Sequence, residues 1–152
     1  MNHPMAVLDM AGHLIRRLHQ QSTHIFSQRT QAAGFDLTPV QFAALDAIHT
    51  HPGSDQSRVA EMIGYDRATI GGVIDRLLKK GWVSRITSAK DRRSRELSLT
   101  PEGHTILQTL TPVVTDLQRE ILLPLNEAEQ AFFMHLTRRI VWETTPTPNS
   151  TV

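Results

Sequence analysis

Residues 88–95 read Ser-Ala-Lys-Asp-Arg-Arg-Ser-Arg, four basic side chains around a single carboxylate. Guanidinium groups offer forked donors that match phosphate oxygens, so this spacing has the chemistry of a polyanion contact. The cluster belongs to a wider asymmetry. Residues 67–95 hold nine Lys or Arg (Arg67, Arg76, Lys79, Lys80, Arg85, Lys90, Arg92, Arg93, Arg95) against Asp75 and Asp91, a local charge of +7 in a chain whose total is +1. A basic patch on an otherwise acidic body points to nucleic acid. Lys90, Arg92 and Arg95 suit phosphate contacts, which strengthen binding without selecting sequence. Asp91 is placed to pair with Arg93 across a tight turn, shaping the loop and aiming Arg93.

Other candidate chemistry does not assemble. His49-Thr50-His51-Pro52 looks like a fragment of a zinc site in a chain with eight histidines. The fragment sits at the end of a helix broken by Pro52, where such side chains cap carbonyls, and no ligand pair at zinc spacing accompanies it. The chain contains no cysteine, which removes thiolate metal sites, disulfides and thiol redox switches. No serine, lysine or carboxylate pair stands at a catalytic spacing. The expectation is a protein without metal or cofactor that is not an enzyme.

The elements that must carry the basic patch are legible. At 152 residues and 17.1 kDa the chain has the size of a single domain. It contains no apolar run long enough to span a membrane and no signal-peptide plan, so a cytoplasmic location is expected. Residues 5–33 carry a helical stripe through Leu8, Ala11, Ile15, Leu18, Phe26 and Ala33, ended by Gly34. "LTPVQFAALDAIHTHPG" opens a second helix with Thr38 as cap, Pro39 in the first helical position and Gln41 closing a capping box, before Pro52-Gly53 stops it. A short helix follows Ser54-Asp55 and ends at Gly64. Asp66 is the natural cap of the next, over 67–80, whose Ile70, Val73, Ile74, Leu77 and Leu78 form one apolar wall, with Ala68, Gly72, Asp75 and Lys79 facing away.

Two short helices joined by a tight turn make a helix-turn-helix. After Gly81, residues 82–87 and 95–100 alternate as two strands joined by the basic loop. The whole is mainly α with a small β-hairpin wing: a winged helix-turn-helix lobe over 37–100, flanked by helices over 5–33 and 101–142. The second helix of such a lobe can enter a major groove while the wing reaches the backbone or the adjacent minor groove. Arg67, Thr69 and Arg76 are the side chains best placed on it to meet double-stranded DNA. Gly71 and Gly72 cost that helix about 1 kcal/mol each relative to alanine, which points to close approach of the backbone to something.

The flanking helices carry more apolar surface than this lobe needs. Thr100-Pro101 starts one bearing Ile106, Leu107, Leu110, Val113, Val114, Leu117, Ile121 and Leu122, in which Pro112 is expected to introduce a kink. Asn126 with Glu129 opens the last, with Phe132, Phe133, Leu136, Ile140 and Val141. Part of this surface is expected to pack against a second copy, making a homodimer. The tail over 144–152 reads as disordered.

The sequence resembles the MarR family of winged-helix regulators. The resemblance rests on "LTPVQFAALDAI", on "VAEMIGYDRATIGGVIDRLLKKGWVSR", and on Asp91, Arg93, Leu97, Leu99, Thr100 and Gly103, the last set fitting the family's wing pattern of an Asp, an Arg two on, then Leu-Thr-x-x-Gly. It implies a homodimeric transcriptional regulator, commonly a repressor released by a small ligand, with the residue matching Arg93 reaching into the minor groove. Gly71 and Gly72 depart from the polar or basic residues that many relatives carry there. The family's ligand pockets commonly lie where the first, second and fifth helices meet. Arg16, His19 and Ser22 on the first helix and His49 on the second, polar groups on or beside apolar stripes, are the candidates there for a small aromatic carboxylate or phenol. The alternative, a winged helix acting as a protein-interaction module without sequence-specific DNA binding, calls for an acidic or apolar wing, whereas this wing is basic.

Overall fold

The computed structural model describes residues 5–143; the tail expected over 144–152 lies outside them. The order of elements is a 3-10 turn (Ala6–Asp9), α1 (Ala11–Ala32), α2 (Pro39–Thr50), α3 (Gln56–Ile63), α4 (Ile70–Lys79), β1 (Val83–Thr87), β2 (Arg95–Leu99), α5 (Pro101–Ile121) and α6 (Glu127–Glu143). The chain is mainly helical with one two-stranded hairpin, a winged helix carried between longer helices.

Local chemistry sets most boundaries. Thr38 and Gln41 form the reciprocal capping box that opens α2, with the Gln41 amide donating to Thr38 Oγ1 at 3.2 Å and the Thr38 amide donating to Gln41 Oε1 at 3.1 Å. Asp55 Oδ1 accepts from the Arg58 amide at 2.9 Å and starts α3, which Gly64 ends in the left-handed region at φ 66°. Asn126 and Glu129 exchange a second capping box at 2.9 Å in each direction.

Three boundaries differ from the sequence expectation. The first segment is not one helix: a 3-10 turn ends at Asp9, and α1 begins after the extended Met10. The helix expected over 67–80 begins at Ile70. Asp66 takes the Ala68 amide on its side chain at 3.0 Å and the Thr69 and Ile70 amides on its carbonyl, so residues 67–69 form a turn. Each strand is also a residue shorter.

The core joins all parts of the wing domain. Leu45 and Ile48 of α2, Val59 of α3, Ile74 and Leu77 of α4, Leu97 of β2 and Leu110 and Leu117 of α5 are fully buried together. Burial of side chains of this kind contributes about 1.5–3 kcal/mol each. The hairpin pairs Val83 with Leu99 and Thr87 with Arg95. Leu97 also exchanges backbone hydrogen bonds with the loop before α3, accepting from Gly53 and donating to Ser54, both at 2.9 Å. This third contact fixes the wing against the start of α3.

Candidate nucleic-acid interface and small-molecule cleft

The basic loop is held by its own side chains. Ser88, nearly buried at its base, accepts from the Lys90 and Asp91 amides at 3.2 and 3.4 Å, and its amide donates to the Ser94 carbonyl at 2.8 Å. Asp91 Oδ1 accepts from the Arg93 backbone amide at 3.0 Å. Asp91 thus shapes the turn as expected, but through the Arg93 backbone and not its guanidinium, which stays available. Lys90, Arg92, Arg93 and Arg95 are all exposed.

Arg93 and Arg95 line a recess of about 320 Å³ with Arg85, Ser94, Leu97 and the first residues of α3. Arg67 lines an adjoining recess with Arg58. The two share Asp55, Ser57 and Ser94, so Arg67 and the wing arginines border one continuous surface across the start of α3. Thr69 and Arg76 are exposed on the outward face of α4 but line neither recess. Arg85, on β1, belongs to the basic patch read from sequence but is not among the side chains assigned there to DNA. Its guanidinium stands 3.9 Å from Asp75 of α4 and links wing to helix. The strand alternation that places Arg85 beside Val83 and Thr87 was the available signal.

The residues expected to meet a small ligand separate into two places. His19 and Ser22 of α1 face Gln118 and Ile121 of α5, Leu122 just after it, and Phe133 and Met134 of α6 across a cleft of about 410 Å³, with Ile15 and Leu18 on the same wall. Arg16 does not line it, and donates instead to His13 Nδ1 at 3.2 Å. His49 lies in a different cleft, between α2 and α5, where its ring meets the His104 ring edge-on at 5.3 Å. The resemblance to the family places the four at one meeting of the first, second and fifth helices, but a helical stripe sets a face and not a particular cavity. Gln118 of α5 reaches this cleft through the packing of α1 on α5, and Phe133 and Met134 through the placing of α6, relations that no single helix's spacing shows. Arg29, on the α1 stripe, is satisfied elsewhere: it bridges to Asp116 at 2.6 Å and to Glu120. Among the described residues no group of His, Asp or Glu is arranged to hold a metal ion, and no helix is long and apolar enough to cross a membrane.

Residues 37–94, the span that builds the lobe and its basic loop, match the MarR family. Over 140 residues the chain is 31% identical to the transcriptional repressor NicR of Pseudomonas putida, covering 92% of this chain and 87% of that protein. The chain belongs to the MarR family. Its fold is shared with the PcaV regulator of Streptomyces coelicolor in complex with its natural ligand, at a TM-score of 0.82 and 32% identity over 91% of this chain and 96% of that one. BpsR of Bordetella bronchiseptica, whose DNA binding is regulated by 6-hydroxynicotinic acid, is equally similar in fold, with a TM-score of 0.82 and 28% identity over 91% and 98% of the two chains.

As a MarR-type transcriptional regulator the chain is not an enzyme, in keeping with the lack of catalytic spacing in its sequence. Three residues of the MarR wing motif have architectural roles: Asp91 shapes the turn, Leu97 anchors the root, and Thr100 caps α5 by accepting from the Gly103 amide at 3.0 Å.

Proposed function

We propose that this MarR-family regulator binds a pseudo-palindromic DNA operator as a homodimer and releases it when a small aromatic acid or phenol occupies the cleft between α1, α5 and α6. The observation that carries the DNA reading is the surface from Arg67 across the start of α3 to Arg85, Arg93 and Arg95, where, with Arg58, five arginines outnumber Asp55, Glu61 and Glu96. Beside it and on it, Arg67, Thr69 and Arg76 at the start and outer side of α4 meet the major groove, Arg93 the minor groove, and Lys90, Arg92 and Arg95 the phosphates. A two-fold pair would present two α4 helices about 34 Å apart, one turn of DNA.

The effector reading rests on the composition of the cleft. Ile15, Leu18, Ile121, Leu122 and Phe133 offer apolar walls for a ring, while His19, Ser22 and Gln118 offer a few polar groups to orient its substituents. PcaV, similar in fold, forms a complex with its natural ligand, and the DNA binding of BpsR, also similar in fold, is regulated by 6-hydroxynicotinic acid. Occupation that favours a DNA-incompetent arrangement of the two lobes would release the operator by shifting the population.

The test begins with duplexes selected from a randomised pool. The reading expects enrichment of an inverted repeat that the protein binds at least about a thousandfold more tightly than random duplex. Benzoates, hydroxybenzoates and pyridine carboxylates are then screened by thermal shift and by release of that duplex. His19→Ala is expected to weaken any compound found; retained affinity in this variant would place the effector elsewhere. Failure of the pool to yield any preferred duplex would leave the interaction-module alternative standing.

A further inference from the structure

The first turn of α4 reads Ile70-Gly71-Gly72-Val73, and glycine disfavours a helix wherever it stands. Nothing inside the chain makes use of either residue. The glycines with positive φ are Gly34, Gly53, Gly64 and Gly81, so 71 and 72 hold backbone conformations open to any residue. A Cβ on Gly71 would meet only the Gln56 side-chain nitrogen of α3, at an ordinary 3.7 Å. A Cβ on Gly72 would meet nothing within 4 Å. The folded chain therefore accepts alanine at both positions and would gain helix propensity from it.

The two glycines look in different directions. Gly71 turns toward α3. Gly72 is exposed, and helical spacing puts it between Thr69, three residues before, and Arg76, four after. The middle of the outward face is bare backbone, flanked by the side chains suited to reading bases.

We infer that Gly72 sets the specificity of DNA recognition by letting the groove edge close directly onto the α4 backbone, which brings Thr69 and Arg76 within reach of the bases. This rests on the DNA-binding reading above. A methyl group at 72 holds the helix away from the groove floor, so base contacts lengthen while the long wing arginines still follow the phosphates. Gly71→Ala adds the same methyl toward α3 and leaves the groove face unchanged.

The experiment compares wild type, Gly71→Ala and Gly72→Ala in the full chain, by melting and by affinity for the pool-selected duplex and a random duplex of equal length. Both variants are expected to raise Tm by about 2–4 °C. Gly71→Ala keeps wild-type affinities. Gly72→Ala weakens the selected duplex by about tenfold or more and random duplex by less than about threefold, narrowing the specificity ratio. Selected-duplex affinity within about twofold of wild type, equal loss on both duplexes, or a lowered Tm for Gly72→Ala would each overturn the inference while leaving DNA binding intact. A wild type that prefers no duplex refutes the DNA reading itself, and the role of Gly72 with it.

Discussion

Gly103 of α5 lies so close to the end of the recognition element that a Cβ on it would stand 2.0 Å from the Trp82 carbonyl oxygen. That oxygen accepts from the Thr100 amide at 3.1 Å, and Thr100 Oγ1 in turn donates to the Gly81 carbonyl at 2.6 Å and accepts from the Gly103 amide at 3.0 Å. The start of α5 is thereby clamped onto the junction between α4 and β1, and only a residue without a side chain permits the approach.

Gly103→Ala is expected to destabilise the protein by about 2–3 kcal/mol, because the clashing atom is backbone and cannot swing aside. Denaturant melts would read this directly. A variant as stable as wild type would show that α5 can slide off Trp82 at no cost, and that the clamp does not fix the wing domain to its helical support.

In the wing, Arg93→Ala should weaken the selected duplex by about 1–3 kcal/mol, because the Arg93 guanidinium is free to enter a groove once Asp91 has taken the backbone amide. Arg95→Ala should instead weaken all duplexes alike and lower the salt slope by about one unit. Titrations at several salt concentrations separate the two. Unchanged affinity for Arg93→Ala would make the loop a merely solvated one.

How far these roles were legible from sequence differs by level. Caps and turns were readable because they are local: Thr38 with Gln41, Asn126 with Glu129 and Gly64 act within four residues of themselves. The winged-helix order followed from them and from the apolar wall of α4. What sequence could not deliver was relation across elements. Arg85 joins Arg93 and Arg95 only through strand pairing, and Gln118 meets His19 only through the packing of α1 on α5 and Phe133 only through the placing of α6. His49 parts from His19 because its cleft lies along the first half of α5, from His104 to Pro112, and the cleft of His19 at the far end, from Gln118 to Leu122.

Arg29 offers a test of the α1–α5 contact. It reaches both Asp116 and Glu120, but all three side chains are more than one-third exposed, so solvent screening limits its worth. Arg29→Met is expected to cost about 0.5–1 kcal/mol, and a double-mutant cycle with Glu120→Gln should recover about half of it as coupling. Zero coupling would reduce the bridge to a geometric coincidence.

Oxidants are expected to leave DNA binding unchanged on the timescale of thiol chemistry. With no cysteine in the chain, peroxide can act only through slower methionine oxidation. Stoichiometric peroxide followed for minutes by fluorescence anisotropy of a labelled duplex is the measurement. Prompt release would require a sensing chemistry that this sequence does not offer.

The last prediction concerns assembly. α6 buries none of its residues in the single chain, and Phe132 and Trp142 are 62% and 69% exposed. At the other end of the sequence Met5, Leu8, Met10, Leu14 and Ile15 are likewise exposed on the 3-10 turn and α1. Apolar surface of this extent, gathered on terminal elements away from the basic face, is what a second copy would cover. Phe132→Glu should therefore shift the protein toward its monomer mass of 17.1 kDa by light scattering. The buried carboxylate is tolerated in a free monomer, where position 132 is open to water, but not beneath a partner. The same variant should lose affinity for an inverted repeat far more than for a single half-site, because only the dimer engages both halves at once. A Phe132→Glu protein that still scatters as a dimer, and binds the repeat as wild type does, would remove α6 from the interface and require the two-fold pairing to be built on α1 alone.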